Sequence, residues 1–289
     1  MHKEGGMAVY DKNGNALVNV YDTNGTRLNQ CYDKDGNPLM STSPYDLVVM
    51  TYNVGAWSNI NSQLALQQSI INTYTPDLIG LQECGSSASG TIPSAIFSGY
   101  QTKHWSRQHN YQAFLAKTLT LTDYEKANFV SQIGETRYWM KCYFQYQGKT
   151  ICWITTHLNH KRASDYVTNR IAQMGEVFAL AEGEEYVIIT ADFNAGGMST
   201  DDAEWIGMYK PFVDAGYNLS NCDSTWGFTK TYSSLTTAES LSDLTLPTDN
   251  IITSGNIDIV NRVIDTTKLS YLNGDVIDHV PIISYLKVN

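Results

Sequence analysis

Tyr186-Val187-Ile188-Ile189-Thr190-Ala191-Asp192-Phe193-Asn194 is the stretch on which the fold turns. Its opening residues are apolar and β-branched with no polar alternation, the pattern of a strand covered on both faces. The run then ends on a carboxylate and an amide, which a buried strand delivers to the edge of its sheet. An extended Asp-Phe-Asn would place Asp192 and Asn194 on one side and Phe193 on the other. The alternative is an Asx turn leading into Ala195-Gly196-Gly197.

The same grammar recurs along the chain. Asp46–Tyr52 is an apolar run that leads to Thr51-Tyr52-Asn53, and Asp77–Leu81 leads to Gln82-Glu83. Residues 150–156 lead to Thr156-His157-Leu158-Asn159, and Ile277-Asp278-His279-Val280-Pro281 opens a further strand over 281–288. Thr248-Asp249-Asn250-Ile251-Ile252 stands between the last two motifs. Polar residues placed at the ends of several buried strands can converge at one rim of a sheet sandwich. Additional strands are expected at 112–117, 137–146 and 257–264. Ile60, Leu64, Ile71 and Tyr74 predict a helix over 60–74 that stops at Thr75-Pro76. A second helix is expected over 164–181, capped by Ser164, striped by Val167, Ile171, Met174, Phe178 and Ala181, and closed by Gly183. Periodicity alone leaves α/β and α+β classes open.

The chain of 289 residues is long enough for one large core. A formal charge of −10 excludes a protein that coats nucleic acid through a wide basic surface. Cys31, Cys84, Cys142, Cys152 and Cys222 show neither CxxC pairs nor metal-ligand spacing, so mostly reduced thiols are expected. There is no 18-residue apolar run and no signal-peptide pattern near the start, so stable membrane insertion is not expected. The compartment is not readable.

Residues 9–39 hold an eleven-residue repeat: Tyr10-Asp11-Lys12-Asn13-Gly14, Tyr21-Asp22-Thr23-Asn24-Gly25 and Tyr32-Asp33-Lys34-Asp35-Gly36. Asp at the start of a turn and Gly at its end suit short hairpins, giving four strands and three turns. A calcium loop is the rival, but the repeats lack its spaced oxygen ligands and distant bidentate glutamate. The division expected is a β-hairpin repeat arm and linker over 1–43 and a catalytic domain over 44–289. The arm suits oligomerisation or attachment.

Taken in order, the five strand-end motifs and the Thr248–Ile252 segment resemble the endonuclease/exonuclease/phosphatase family over roughly residues 45–289. The resemblance implies an α+β fold, a four-layer α/β/β/α sandwich of two packed mixed sheets. It also implies hydrolysis of phosphate esters with Mg²⁺, or Mn²⁺ in its place. Glu83 would be the main metal ligand, supported by Asn53, with Asp278 facing the metal. Asp192 would orient and deprotonate the attacking water, and Asn194 would hold a phosphoryl oxygen. His279 would donate to the phosphate, with Asp249 orienting its imidazole. His157 and Asn159 would complete the phosphate pocket, and Arg137 would touch phosphate. Standing alone, Glu83 reads as a solvated strand-end acid, His279 as a structural histidine and Arg137 as a solvated strand-edge cation.

Three positions depart from the family's pattern: Ile277 where Ser is common, Ala191 where Gly is common, and Cys84 directly after Glu83. No inositol-phosphatase signature is present. The expected activity is a phosphodiesterase of nuclease type acting on nucleic acid. The alternatives are a sphingomyelinase-like or small-molecule phosphodiesterase, and a non-catalytic binding module displayed by the arm. Trp205, Trp226, Phe228 and Tyr232 in the loop-rich 196–247 segment are stacking candidates, with core packing as the commoner fate.

Overall fold

The computed structural model describes residues 31–32, 38–39, 44–55, 60–84, 99–107, 110–160, 163–195, 201–222, 231, 247–265 and 279–289. The chain forms two compact units, Met1–Asp46 and Leu47–Asn289. In the first, β1 (Cys31–Tyr32) pairs antiparallel with β2 (Pro38–Leu39), bracketing the third of the expected turns. The first two repeats lie outside the described residues.

The second unit begins with β3 (Leu47–Asn53), α1 (Ile60–Tyr74) and β4 (Leu78–Gln82), followed by β5 (Gln101–Arg107), β6 (Asn110–Ala116) and β7 (Thr122–Asn128). Next come β8 (Tyr138–Tyr146), β9 (Lys149–His157), α2 (Ser164–Ala181), β10 (Tyr186–Asp192) and a π-helical turn, Trp205–Tyr209. The chain continues through α3 (Lys210–Asp214), β11 (Asn218–Leu219), β12 (Asp249–Thr253), β13 (Ile257–Ile264) and β14 (Ile282–Val288). Among the described residues these strands form two six-stranded mixed sheets, ordered β13-β14-β3-β4-β6-β5 and β11-β12-β10-β9-β8-β7.

The faces that meet carry Leu47, Val49, Leu78 and Phe114 from the first sheet and Met140, Phe144, Trp153, Ile188 and Ile251 from the second, all buried in one cluster. Alternation along the strands sends Ile154, Val187, Ile189 and Ile252 to the outer face of the second sheet. There they pack against Met174 and Val177 of α2, the π-helical turn and Phe212 of α3. The first sheet's other face is also buried at Val48, Met50, Ile79 and Leu81, and its crossover helix α1 buries Ile70 and Ile71. This is the expected sandwich of two mixed sheets.

Register places the polar strand ends together. Parallel β3 and β4 finish side by side, with Asn53 opposite Gln82. Parallel β9 and β10 finish with His157 opposite Asp192, and antiparallel β12 starts there, with Asp249 opposite Asp192. Antiparallel β14 enters beside the end of β3, pairing Ile282 with Thr51, and His279 lies just upstream.

Near this rim the sheets approach closely through small and polar residues. A methyl group on Gly80 would sit 2.0 Å from Thr190 Oγ1 and 2.6 Å from its Cβ. That hydroxyl accepts a bond from Trp153 Nε1 at 3.0 Å, while Thr155 Oγ1 donates to the Thr190 carbonyl at 2.8 Å. The contact holds β4 hard against β10.

Two details differ from expectation. Ala163, not Ser164, occupies the α2 N-cap, and no side chain caps it; Gly183 does adopt a left-handed φ of 83° just past the helix end. The buried face of α2 is Arg170, Gln173, Met174, Val177 and Ala181, rotated from the apolar stripe because two polar side chains find partners inside. Ile60 and Leu64 have no described side chains. None of Cys84, Cys142, Cys152 and Cys222 is in a disulfide. No helix among the described residues is long and apolar enough to cross a membrane.

Candidate active site

Asp192 stands at the centre, 1 % exposed. Its Oδ1 accepts the Asn194 amide at 2.8 Å and its Oδ2 accepts Asn53 Nδ2 at 2.9 Å. Two imidazoles face the same Oδ2: His157 Nε2 at 3.4 Å and His279 Nε2 at 3.6 Å. Burial is the main force on this carboxyl and pushes its pKa up to about 7, against a countering pull from His279. Asp249 adds to the rise, while Asn53 and the Asn194 amide oppose it. A carboxylate tuned near neutrality suits proton acceptance.

The Asp-Phe-Asn stretch does not run straight. β10 ends at Asp192, and Asn194 takes a left-handed φ of 53° while its amide closes onto the Asp192 side chain, so the Asx turn is what forms. The turn still serves the site. Phe193 is fully buried against the outer helices, and Asn194 Nδ2 donates to the Leu158 carbonyl at 3.0 Å, tying the ends of β10 and β9 together.

His279 and Asp249 form a dyad, with Nδ1 and Oδ2 2.7 Å apart. The same oxygen accepts the Thr231 hydroxyl at 2.6 Å and the Thr248 hydroxyl at 2.9 Å. A carboxylate held by two hydroxyls fixes the proton on Nδ1 and turns Nε2 toward Asp192 and Asn53. Thr231 gave no sequence signal, because no local pattern ties it to Asp249, 18 residues further along. Thr248 was visible within a motif but without a role.

His157 is buried, and its pKa falls well below the ordinary 6.5, first from burial and then from the positive neighbours Arg137, His279 and His160. Its 3.4 Å approach to Asp192 is therefore that of a neutral imidazole rather than an ion pair. Nε2 also lies 3.8 Å from Glu83 Oε1, and Nδ1 has no partner among the described residues. Glu83 leaves β4 with a left-handed φ of 52°, an uncommon conformation for a non-glycine residue, which turns its carboxylate toward His157.

Arg137 is buried rather than solvated, at 3 % exposure. Nη2 donates to Glu135 Oε2 and meets His160 Nδ1, both at 3.0 Å, and Nε has no partner among the described residues. Burial draws its pKa down, against the charges of Glu135, Glu83 and Asp192, which face it. Asn159 is fully buried, and its Nδ2 holds the Ile133 carbonyl at 2.6 Å. Its side chain thus braces the 129–137 loop that leads into Arg137. Trp205 packs in the outer core, stacked on Tyr209. Asp278, Lys161, Arg162, Trp226, Phe228 and Tyr232 lie outside the described residues.

The donor set is rich in oxygen: Glu83, Asp192 and Asp249 carboxylates and the Asn53 amide, with a buried Asp249 Oδ1 that no described protein group meets. Such hard oxygen donors, three of them almost fully buried, fit a divalent cation of the magnesium type. Ligand atoms of Asp192, Asp249 and His279 lie within 4.8 Å of one another. Within that group the Asp249–His279 pair is already closed by its own hydrogen bond.

No family model matches the chain, and no curated protein matches its sequence. Solved structures do match. An endonuclease/exonuclease/phosphatase family protein from Bacteroides thetaiotaomicron superposes with a TM-score of 0.62 at 14% identity, covering 84% of this chain and 96% of that one. A mannosyl-6-phosphatase from the same organism gives 0.63 at 15% identity, covering 83% and 99%. TDP2 from D. rerio, complexed with a single-strand DNA product, gives 0.63 at 18% identity, covering 84% and 99%. At these identities the likeness is one of architecture, and it agrees with the ordered strand-end motifs: this chain has the endonuclease/exonuclease/phosphatase fold.

Proposed function

We propose that the chain is a divalent-metal-dependent hydrolase of phosphate esters, acting as a phosphodiesterase on nucleic acid. The observation that carries this reading is the convergence on Asp192 of two imidazoles, one of them held by the Asp249–Thr231–Thr248 cage. The DNA product bound to the similar TDP2 structure supports the nucleic-acid substrate.

In this reading Asp192 takes the proton of an attacking water, since its carboxyl is poised near neutrality. Asn53 and the Asn194 amide hold that carboxylate in place. His279, held through Nδ1 by Asp249 and acting as the imidazolium, donates from Nε2 to a phosphoryl oxygen as negative charge builds. His157, kept neutral, donates from Nε2, and Arg137 supplies a fixed positive field from the 129–137 loop. Glu83, with Asn53 and Asp278, would hold Mg²⁺ or Mn²⁺, which when bound neutralises phosphate charge. Asn159 acts by bracing the loop rather than by touching substrate.

A second reading, a small phosphate ester as substrate, is favoured by the similarity to a mannosyl-6-phosphatase. The deciding experiment assays labelled single- and double-stranded DNA and RNA, a sugar phosphate and sphingomyelin, each with and without Mg²⁺. Glu83→Gln serves as the matched control, and a salt series reports the number of phosphates held. With 19 Lys and Arg against 29 Asp and Glu, the expected salt slope corresponds to about two to four phosphates. Hydrolysis of the sugar phosphate or sphingomyelin alone would overturn the nucleic-acid substrate. Turnover by Glu83→Gln equal to the parent would overturn the metal assignment.

A further inference from the structure

Arg170 of α2 is fully buried, an unusual fate for a residue that carries a permanent charge. Its Nε donates to Glu204 Oε1 at 2.7 Å, Nη2 donates to the same oxygen, and Nη1 donates to the Asn159 carbonyl at 2.9 Å. One guanidinium therefore grips two segments that leave adjacent strand ends. Asn159 follows His157 at the end of β9, and Glu204 leads into the π-helical turn after β10.

Each grip continues into the candidate site. On the β9 side, Gln173, one turn further along α2, accepts the Asn159 amide at 3.3 Å and donates to the Ser131 carbonyl at 2.9 Å. Leu158, between His157 and Asn159, donates its amide to the Asp192 carbonyl at 3.0 Å. On the other side, Trp205 and Tyr209 of the π-helical turn stack on each other, and Tyr209 packs edge-on against Phe193, the residue between Asp192 and Asn194. π-Helical turns are rare and tend to be kept where they place a functional group.

We propose that Arg170 is a positioning residue of the candidate site: by holding the Asn159 carbonyl and the Glu204 carboxylate together, it sets where His157 stands relative to Asp192 and Asn194. A fork of fixed planar donors suits this task, and a lysine cannot span both acceptors. A buried ion pair is a weak device for stability, since well-packed apolar residues often replace it without loss. Its presence beneath the strand ends is explained by geometry instead. The kinetic arm of the test rests on the hydrolase reading given above, and the exchange arm does not.

Two variants separate position from folding. Arg170→Lys keeps a charge pair with Glu204 but releases the Asn159 carbonyl. The double variant Arg170→Met with Glu204→Met removes both charges at similar volume. Both are expected to fold. In both, amide exchange at Leu158 and Asn194 should accelerate by about tenfold while Ile189, inside β10, stays protected. With Mg²⁺ and bis-p-nitrophenyl phosphate, kcat should fall by about 10- to 100-fold with KM changed by less than about threefold, because the defect is one of alignment. Native exchange at Leu158 and Asn194 in a folded variant would overturn the proposal, as would failure of both variants to fold, which would mark the pair as a folding element alone. A parent protein that hydrolyses no phosphate ester would defeat the hydrolase reading and leave the exchange result to decide this one.

Discussion

Replacing Gly80 by alanine asks how closely the two sheets meet. The added methyl would fall 2.0 Å from Thr190 Oγ1, and ordinary contact begins at 3.4 Å, so β4 and β10 must separate locally by more than 1 Å or Thr190 must turn away. Neither is easy. Thr190 is β-branched, its hydroxyl receives the Trp153 indole N–H and its carbonyl receives Thr155. Overpacking of a well-filled interior costs about 1–3 kcal/mol. Stranding a buried indole N–H costs about 1–3 kcal/mol more. We expect Gly80→Ala to destabilise the protein by about 3–4 kcal/mol, a large share of the ~5–15 kcal/mol typical of a domain. Gly80 lies on the short strand that Glu83 directly follows, so the displacement carries that carboxylate away from His157, and kcat should drop by about tenfold or more even where the variant is folded. Urea unfolding monitored by tryptophan fluorescence gives the first number, and turnover in the folded range gives the second. Pairing the change with Thr190→Gly, which removes both clashing atoms, should give a total well below the sum of the two single effects. A loss under about 1 kcal/mol for Gly80→Ala, or strict additivity in the pair, would refute the close approach.

Asp249→Asn and His279→Ala should each lower kcat far more than they raise KM, and the double variant should be little worse than the worse single variant, because the dyad works as one unit; additive losses in steady-state kinetics would break it apart. Asp192 is held near a pKa of about 7 by burial, against an ordinary 3.8, so the folded state keeps a proton that the unfolded chain releases. Its contribution to metal-free stability is therefore full below about pH 4 and lost as the pH rises through about 7; thermal melts from pH 5 to 8 should fall more steeply for the parent than for Asp192→Asn, and equal slopes would contradict the shift. Deleting residues 1–43 should preserve kcat, as every residue placed in the site lies beyond Tyr52; a folded truncation without metal-dependent turnover would show that the arm contributes to the chemistry.

The sheet framework was legible because its strands are long, apolar on both faces and closed by distinctive polar groups. β3, β4, β9 and β10 lie within a residue or two of their expected bounds. β5 and β7 were not legible: Gln101-Thr102-Lys103-His104 and Thr122-Asp123-Tyr124-Glu125 are mostly polar, and edge strands need no buried face to hold them. The buried side of α2 was misjudged for a related reason. Arg170 and Gln173 look like solvent positions until their partners, Glu204, Asn159 and Ser131, are brought in from other parts of the chain. Within the site, strand-end position located the chemistry but not the bonding. Sequence could name Asn194 and Asn159, yet only the folded chain shows the left-handed Asn194 turn and the Asn159 side chain turned to the Ile133 carbonyl. Thr231 reaches Asp249 from a position that no periodicity marks.

β14 follows every other strand in sequence yet lies inside its sheet, between β13 and β3. His279 is anchored by the strand's entry, and β3, formed from residues 47–53, has no neighbour on that side until β14 arrives. During synthesis the growing chain can fold many of its local pieces, but β3 must wait with an open edge while more than two hundred residues emerge, and a pairing this distant in sequence is slow to close. A polypeptide halted between residues 192 and 279 therefore carries Glu83, His157 and Asp192 without the His279 imidazole. On the hydrolase reading proposed above, activity would report that translation has passed through the entry of β14, and chains cut short at the C-terminal side would be inert.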